Sequence, residues 1–407
     1  MKRIIIVNQH YYPELASTGQ VFQEIAEHFV REGYWVKVIA GRPFYHDYTT
    51  KDMNFKRLAK KEILNGVHIR RLWNTTFKKS CFIGKVLNLL TFQISLLLYM
   101  LVAITKKDIV LVGTNPPMGI ICGALAKKIK KFKFIGVIQD LYPDILISTG
   151  MTQKTNIIYC VLHKLMKFAF RSCDTLITIS QSMKEYIEKK YDIKDVTEIN
   201  NMIIGELYPI ENRKLKEDKG FGEKFVVMYS GNFGIAHEYE TLLDSMRHLK
   251  GNKDILFYIV GGGIHYTKLQ AECHKEGLEN VVFENYVEKD QLNQNLNLAD
   301  IQLVIFNNNF KNVLMPSKYY GILACGKPLI LITDGENDIT RDIKEYRIGF
   351  ILQKGEGKQL ADKLIELTQK VELREELSHK AKYLYKIRYT KQVVLQKYSE
   401  VIRRYDK

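Results

Sequence analysis

Phe225-Val-Val-Met-Tyr-Ser-Gly-Asn-Phe-Gly234 is the stretch on which the fold turns. Its first six residues carry no charge, as a strand buried on both faces requires, and the glycines behind them mark a tight turn. The same grammar opens the chain. Arg3-Ile-Ile-Ile-Val7 runs into a polar loop with Gly19, and Val21, Ile25 and Phe29 then recur at helical spacing up to Gly33. A pattern that runs, breaks at the polar residues 211–223 and restarts describes two Rossmann-like, doubly wound α/β units.

Working outward, the first half predicts further strands at 35–39, 109–113, 133–138 and 175–179. The second half predicts strands at 255–260, 281–283, 301–306, 328–331 and 349–352, then a charged helical tail over 359–406. The domain boundaries expected are 1–200 and 205–384, with a helix at 385–407 returning to the first domain. A chain of 407 residues suits two or three domains. In such an arrangement ligands bind at the carboxyl ends of strands.

Composition narrows the class. Hydrophobic residues make up 46% and charged residues 26%, which excludes a collagen, a coiled-coil rod and a disordered tail. The net charge of +16 is lopsided. Residues 1–200 hold 30 basic and 16 acidic groups (+14), and 201–407 hold 31 and 29 (+2). A basic half expects a polyanion, either nucleic acid or an anionic membrane face. Nucleic acid is set aside because the basic residues lack interleaved aromatic readers on a known motif. The six cysteines are widely spaced and form no C-x-x-C, so they read as reduced thiols of a cytoplasmic protein. Residues 1–14 read as a first strand and loop, not as a signal peptide.

Val86 to Ile104 is a 19-residue stretch without charge, flanked by Lys78, Lys79, Lys85, Lys106 and Lys107. Its first reading is a helix lying on or dipping into the membrane interface. A buried core helix and a membrane span are the other readings.

The chemistry-bearing motifs begin with absences. The first strand has no G-x-G-x-x-G after it, there is no Walker A pattern and no Asp-x-Asp, and the ten histidines never pair at metal-ligand spacing. Chemistry without metal or cofactor is expected. Ser230, Gly231, Asn232 and Gly234 follow the decisive strand, and Gly261, Gly262 and Gly263 close the next one. Glycines there let backbone amides approach a phosphate. Met315-Pro-Ser-Lys-Tyr-Tyr-Gly-Ile-Leu-Ala-Cys-Gly-Lys-Pro328 is the sharpest piece. Pro316 suits a first helical turn, which would hold Ser317 and Lys318. A lysine is unfavourable at that end unless an anion binds there, and a diphosphate would fit. Asp140, in Asp140-Leu-Tyr-Pro-Asp144, and Asn115, in Thr114-Asn-Pro-Pro117, also end predicted strands.

These motifs, with Asn8-Gln-His-Tyr-Tyr-Pro-Glu14 and Val260-Gly-Gly-Gly263, resemble glycosyltransferase family four with the GT-B fold. The resemblance is strongest to the WbuB-like branch that builds colanic acid, O-antigen and capsule, and it covers nearly the whole chain. It implies retaining transfer of a sugar from a nucleotide-diphosphate donor, usually UDP-linked, with N-acetylated hexosamines among the candidates. It implies the donor in the second domain, a lipid-linked (polyprenyl-diphosphate) saccharide acceptor in the first, and a peripheral position on the inner face of the cell membrane.

On this resemblance Asp140, His237 and Lys318 are the catalytic candidates. Gly19, Ser230, Gly231, Asn232, Gly234, Gly261, Gly262, Gly263, Tyr286, Pro316, Ser317 and Lys318 are candidates for the donor, and Thr18, His10 and Asn115 for the acceptor. The chain also departs from the family pattern. Val313 and Gly321 stand where relatives carry two glutamates, Asn232 and His237 where they carry Arg and Lys, and Gln139 where they carry His. Two other readings remain open from the sequence: a GT-B UDP-sugar 2-epimerase and a non-catalytic sugar-nucleotide-binding scaffold.

Overall fold

The computed structural model describes residues 3–14, 16–42, 60–77, 82–234 and 237–406. Lys78, Lys79 and Cys81 lie outside the described residues. The chain divides into two compact units. The first comprises Met1–Ile204, Asn312–Leu314 and Gln392–Lys407, and the second Gly205–Lys311 and Met315–Lys391.

The first unit is built on eight strands: β1 (Arg3–Val7), β2 (Trp35–Ala40), β3 (Lys60–Leu64), β4 (Val67–Arg71), β5 (Asp108–Gly113), β6 (Lys133–Ile138), β7 (Thr175–Thr178) and β8 (Val196–Glu198). Their order is β3-β4-β2-β1-β5-β6-β7-β8. All pairs are parallel except the β3–β4 hairpin. β1 lies between β2 and β5, so the order reverses there and the crevice at the carboxyl ends of β1 and β5 is the switch point. Ile4, Ile5, Ile6 and Val7 are all buried, as a central parallel strand demands.

The β3–β4 hairpin has no counterpart among the strands expected from the sequence. Its turn is Asn65-Gly66, both at positive φ (48° and 79°), the dipeptide that tight hairpins favour. Charged residues along 60–71 masked the strands, and one of those charges is interior. Arg71 is 2% exposed and donates to Glu62 Oε1 (2.9 Å), to the Gly41 carbonyl (3.3 Å) and to the Tyr12 carbonyl. A buried charge held by a carboxylate and carbonyls is the arrangement burial permits.

The helix Lys391–Arg403 packs Val394, Leu395, Tyr398, Val401 and Ile402 into the core of the first unit. Its Ser399 hydroxyl meets His28 Nε2 at 2.7 Å, and Arg403 pairs with Glu32 at 3.0 Å. The sequence places the start of this returning helix at 385. Tyr385–Tyr389 instead form one turn of π-helix, and the first unit resumes at Gln392.

The apolar stretch is the helix Phe82–Ala103. It is long and apolar enough to cross a membrane, yet one face is docked. Asn88, Phe92, Leu96 and Met100, spaced by four, are buried. Three of its polar interruptions find partners: Asn88 with the Phe77 backbone, Thr91 with Thr75 and Gln93 with Cys122. The other face carries exposed Ile83, Val86, Leu87, Leu90, Ile94, Leu98 and Val102. With 28% of its apolar window buried, this helix is not the core helix that one reading allowed.

The second unit is an all-parallel sheet of β9 (Phe225–Asn232), β10 (Ile255–Gly262), β11 (Val281–Glu284), β12 (Ile301–Ile305), β13 (Leu329–Ile332) and β14 (Gly349–Leu352), in the order β11-β10-β9-β12-β13-β14. Val227, Tyr229, Phe257 and Ile259 face one apolar core, and Val226, Met228, Leu256 and Tyr258 the other. The alternation shows why the whole run had to be apolar. Here the order reverses between β9 and β12, so the decisive stretch ends at this unit's own switch point.

Candidate functional site

Each switch point gathers a set of the residues singled out above, and the two sets lie in different units. In the first unit the loop after β1 folds back over the start of the helix Ser17–Arg31. A side chain at Gly19 would lie 3.1 Å from the His10 carbonyl, a contact tight enough that the backbone would have to give by a few tenths of an ångström. Gln9 N–H donates to the Asn115 carbonyl (2.7 Å), and the Asn115 amide donates to Thr18 Oγ1 (3.3 Å). Thr18, Gly19, His10 and Asn115 are thus brought together. His10 is buried with Nδ1 2.7 Å from the buried Glu14 carboxylate, and its carbonyl accepts from Asn8 Nδ2 (2.6 Å).

Asp140 follows β6, next to β5. The Thr114 hydroxyl accepts from the backbone N–H groups of Gln139 (3.3 Å) and Asp140 (3.4 Å), tying the two strand ends together. Gln139 donates to Asn201 (3.1 Å). Burial pushes the Asp140 carboxyl above the usual carboxylate range. Asp144, four residues on, has a different part. Its carboxylate accepts from the hydroxyls of Tyr159 (3.3 Å), Tyr186 (2.8 Å) and Tyr191 (2.9 Å) and from Lys190. It is a buried structural hub, and nothing in the local sequence separates it from Asp140.

In the second unit the strand ends come very close. Gly261 has φ +132°, and a side chain there would sit 2.2 Å from the Gly231 carbonyl, so only glycine fits. The Phe233 N–H donates to the Gly262 carbonyl (2.7 Å). Ser230, Gly231, Asn232, Gly234, Gly261, Gly262 and Gly263 therefore form one backbone-lined rim, with Tyr286 beside Gly262.

Lys318 crowns this rim in an unexpected way. The residue as a whole is partly exposed, yet its amine is buried, whereas lysine usually keeps its charged head in water. Nζ sits 3.4 Å from the centre of the Tyr229 ring and makes no hydrogen bond. Burial holds the amine well below its ordinary pKa. The Tyr229 ring stacks on Phe233 at 4.2 Å, and His237 meets both rings edge-on. Burial, with Lys318 second, lowers His237 to about 4, so the ring is neutral near pH 7. His265 Nδ1 contacts the His237 carbonyl. Sequence reading missed Tyr229, Phe233 and His265. Tyr229 counts as a strand apolar residue and Phe233 as part of the turn behind it, and only the position of the amine reveals their use.

One expectation is corrected. The helix after Pro316 begins at Lys318, runs only to Ala324, and has Ser317 at its cap position with no side-chain cap bond. Seven residues carry little dipole, so the buried amine, not the helix start, is the marked feature. A side chain at Gly321 would meet Leu207 and Leu296 at 3.5 and 3.6 Å, in ordinary van der Waals contact. Val313 is buried. Among the described residues no cluster of three or more His, Cys, Asp or Glu is placed to hold a metal ion.

A family model described as "Glycosyltransferase Family 4" matches residues 18–204, and one described as "Glycosyl transferases group 1" matches 211–383. The probable glycosyltransferase WbjE of Pseudomonas aeruginosa is 25% identical over 252 residues, 60% of this chain and 62% of that protein, which is just under two thirds of its length. The putative colanic acid biosynthesis glycosyl transferase WcaI of Escherichia coli K12 is 22% identical over 350 residues, 83% of this chain and 84% of that one. Sucrose-phosphate synthase from Thermosynechococcus elongatus superposes with a TM-score of 0.75 at 12% identity, over 99% of both chains. Anabaena Alr3699/HepE in complex with UDP-glucose superposes with a TM-score of 0.69 at 16% identity, also over 99% of both. At such identities the structures speak for the fold alone.

Proposed function

The chain belongs to glycosyltransferase family 4 and has the GT-B fold, and from that premise we propose that it transfers a sugar, with retention, from a nucleotide-diphosphate donor to a lipid-linked saccharide in surface-polysaccharide assembly. The donor is UDP-linked and is held by the second unit without a metal. The acceptor meets the first unit at the cytoplasmic face of the membrane. The names of WbjE and WcaI support the class of reaction, and the UDP-glucose complex of HepE supports the class of donor.

The observation that carries this reading is the buried Lys318 amine without a partner above the Gly231 and Gly261 turns. Such an amine is costly to keep. A diphosphate on the glycine rim would repay that cost and be stabilised as charge builds on the leaving phosphate. One such contact contributes on the order of 3–4 kcal/mol to catalysis. His237, neutral near pH 7, would supply a hydrogen bond and not a positive charge. Asp140 would orient the acceptor or face the positive charge developing at the sugar. Thr18, His10 and Asn115 would line the acceptor approach.

The membrane position is supported by three helices of the first unit. Exposed Leu90, Ile94 and Leu98 on Phe82–Ala103 are joined by Leu125 and Ile129 on Gly119–Lys130 and by Ile157, Ile158 and Val161 on Ile157–Arg171. The middle helix packs on both others. Exposed Lys85, Lys128, Lys154 and Lys164 accompany this apolar face. An apolar surface among lysines suits an interface with anionic lipid.

The test is transfer of labelled sugar from a panel of UDP-, GDP- and dTDP-sugars to a polyprenyl-diphosphate-linked saccharide. Product from a UDP-sugar, retained stereochemistry and loss of transfer in K318A are expected. Full transfer by K318A would refute the site, and UDP-sugar turnover without any acceptor product would refute the acceptor class.

A further inference from the structure

Resting on the donor reading just given, we propose that donor binding carries a proton into the second unit: Lys318 is a neutral amine before the diphosphate arrives and an ammonium once it is bound. The geometry sets up this change. The amine is buried, has no hydrogen-bond partner, and lies against the Tyr229 ring at 3.4 Å. The groups that face it are Tyr229 from β9, His237 from the loop behind β9, and, one layer further, His265 beside His237 and Tyr286 beside Tyr229. No carboxylate among the described residues acts on it. Tyr229, Tyr286 and His237 are neutral near pH 7, so none of them balances an ammonium there until an anion does.

Burial alone holds the Lys318 amine low. A charged Lys318 lowers His237, so an incoming dianion at the amine acts on both groups. The proton comes from solvent, one N–H bond forms on Nζ, and no other bond changes. By linkage, the affinity for the donor then rises as pH falls through the window between the free and bound values, by up to about tenfold per pH unit.

Calorimetric titration of the full chain with UDP-glucose tests this directly. The experiment is run near pH 8 without divalent cations, in buffers of differing ionisation enthalpy. A sugar diphosphate ester has no group titrating there, so any proton taken up goes to the protein. The expected result is a heat that changes with buffer, corresponding to roughly one proton per donor. K318M should weaken binding and abolish the buffer dependence, whereas K318R, charged at every working pH, should bind without proton uptake.

Binding with identical heats in all buffers would overturn the inference and leave the donor reading standing. Uptake that survives in K318M and disappears in H237N would overturn the assignment to Lys318. If neither UDP-glucose, GDP-mannose nor dTDP-glucose bound the wild type, the donor reading would fall and the inference with it.

Discussion

The two switch points differ in what they leave unpaired. At the carboxyl ends of the first unit's strands the buried orphans are neutral: Asn8 Oδ1, Gln9 Nε2, the Tyr11 hydroxyl and Gln139 Oε1. In the second unit the orphan at the rim is an amine, Lys318 Nζ. A neutral amide or phenol suits hydroxyl groups, as on a saccharide, whereas a buried amine suits an anion. Two doubly wound sheets are thus specialised by the residues at their carboxyl edges, as expected where function lives in sites grafted on a shared fold.

The contrast can be broken most forcefully at Lys318. K318A should lower kcat/KM for the donor by about 10²–10³, the scale of one lost charge-stabilising contact, with the circular dichroism spectrum unchanged. An equal loss from a single orphan substitution in the first unit, read as kcat/KM for the donor, would erase the distinction.

Next in size is His237. Its folded value of about 4 lies below the unfolded 6.5, so the stability it confers is complete above pH 6.5 and is lost as pH falls toward 4. The shift amounts to on the order of 3 kcal/mol by pH 4. Urea titrations across this range should show a shallower pH dependence in H237N. An identical slope would mean that the aromatic cluster does not exclude solvent.

A smaller effect is expected at the exposed apolar face. Replacing Leu90, Ile94 and Leu98 together by Ser should weaken flotation with anionic vesicles by at least about tenfold, given roughly 1.5–3 kcal/mol for each such side chain fully buried. The melting temperature should not fall, because these residues are 47%, 61% and 60% exposed. Unaltered flotation would remove lipid from the account.

The smallest effect belongs to Tyr11. Y11F deletes a buried hydroxyl without a partner, so the fold should be unchanged or more stable by up to about 1 kcal/mol. The KM for acceptor should nevertheless rise while that for donor stays constant. A rise in the donor KM instead would place donor contacts on the first unit.

The strands were legible because buried parallel strands must be apolar throughout; Lys133–Ile138 and Gly349–Leu352 have the predicted bounds. The β3–β4 hairpin was hidden because its strand charges outweighed the Asn65-Gly66 signal, and Arg71 gave no sign of lying inside. At the site, the glycines of the second unit could be read from composition, since only glycine tolerates the Gly231–Gly261 approach. The direction of a side chain could not. Lys318 and Lys327 flank the same helix, but only the first turns an unpartnered amine inward, while Lys327 donates to the Asn297 carbonyl at 3.0 Å. Asp140 and Asp144 make the same point, because what distinguishes them is supplied by tyrosines 15 to 47 residues away.

The most direct measurement is a crystal structure with a bound UDP-sugar. A diphosphate oxygen within about 3 Å of Lys318 Nζ, on the rim formed by Gly231 and Gly261, is the predicted outcome. Nucleotide bound elsewhere, with the amine still packed on Tyr229, would contradict it.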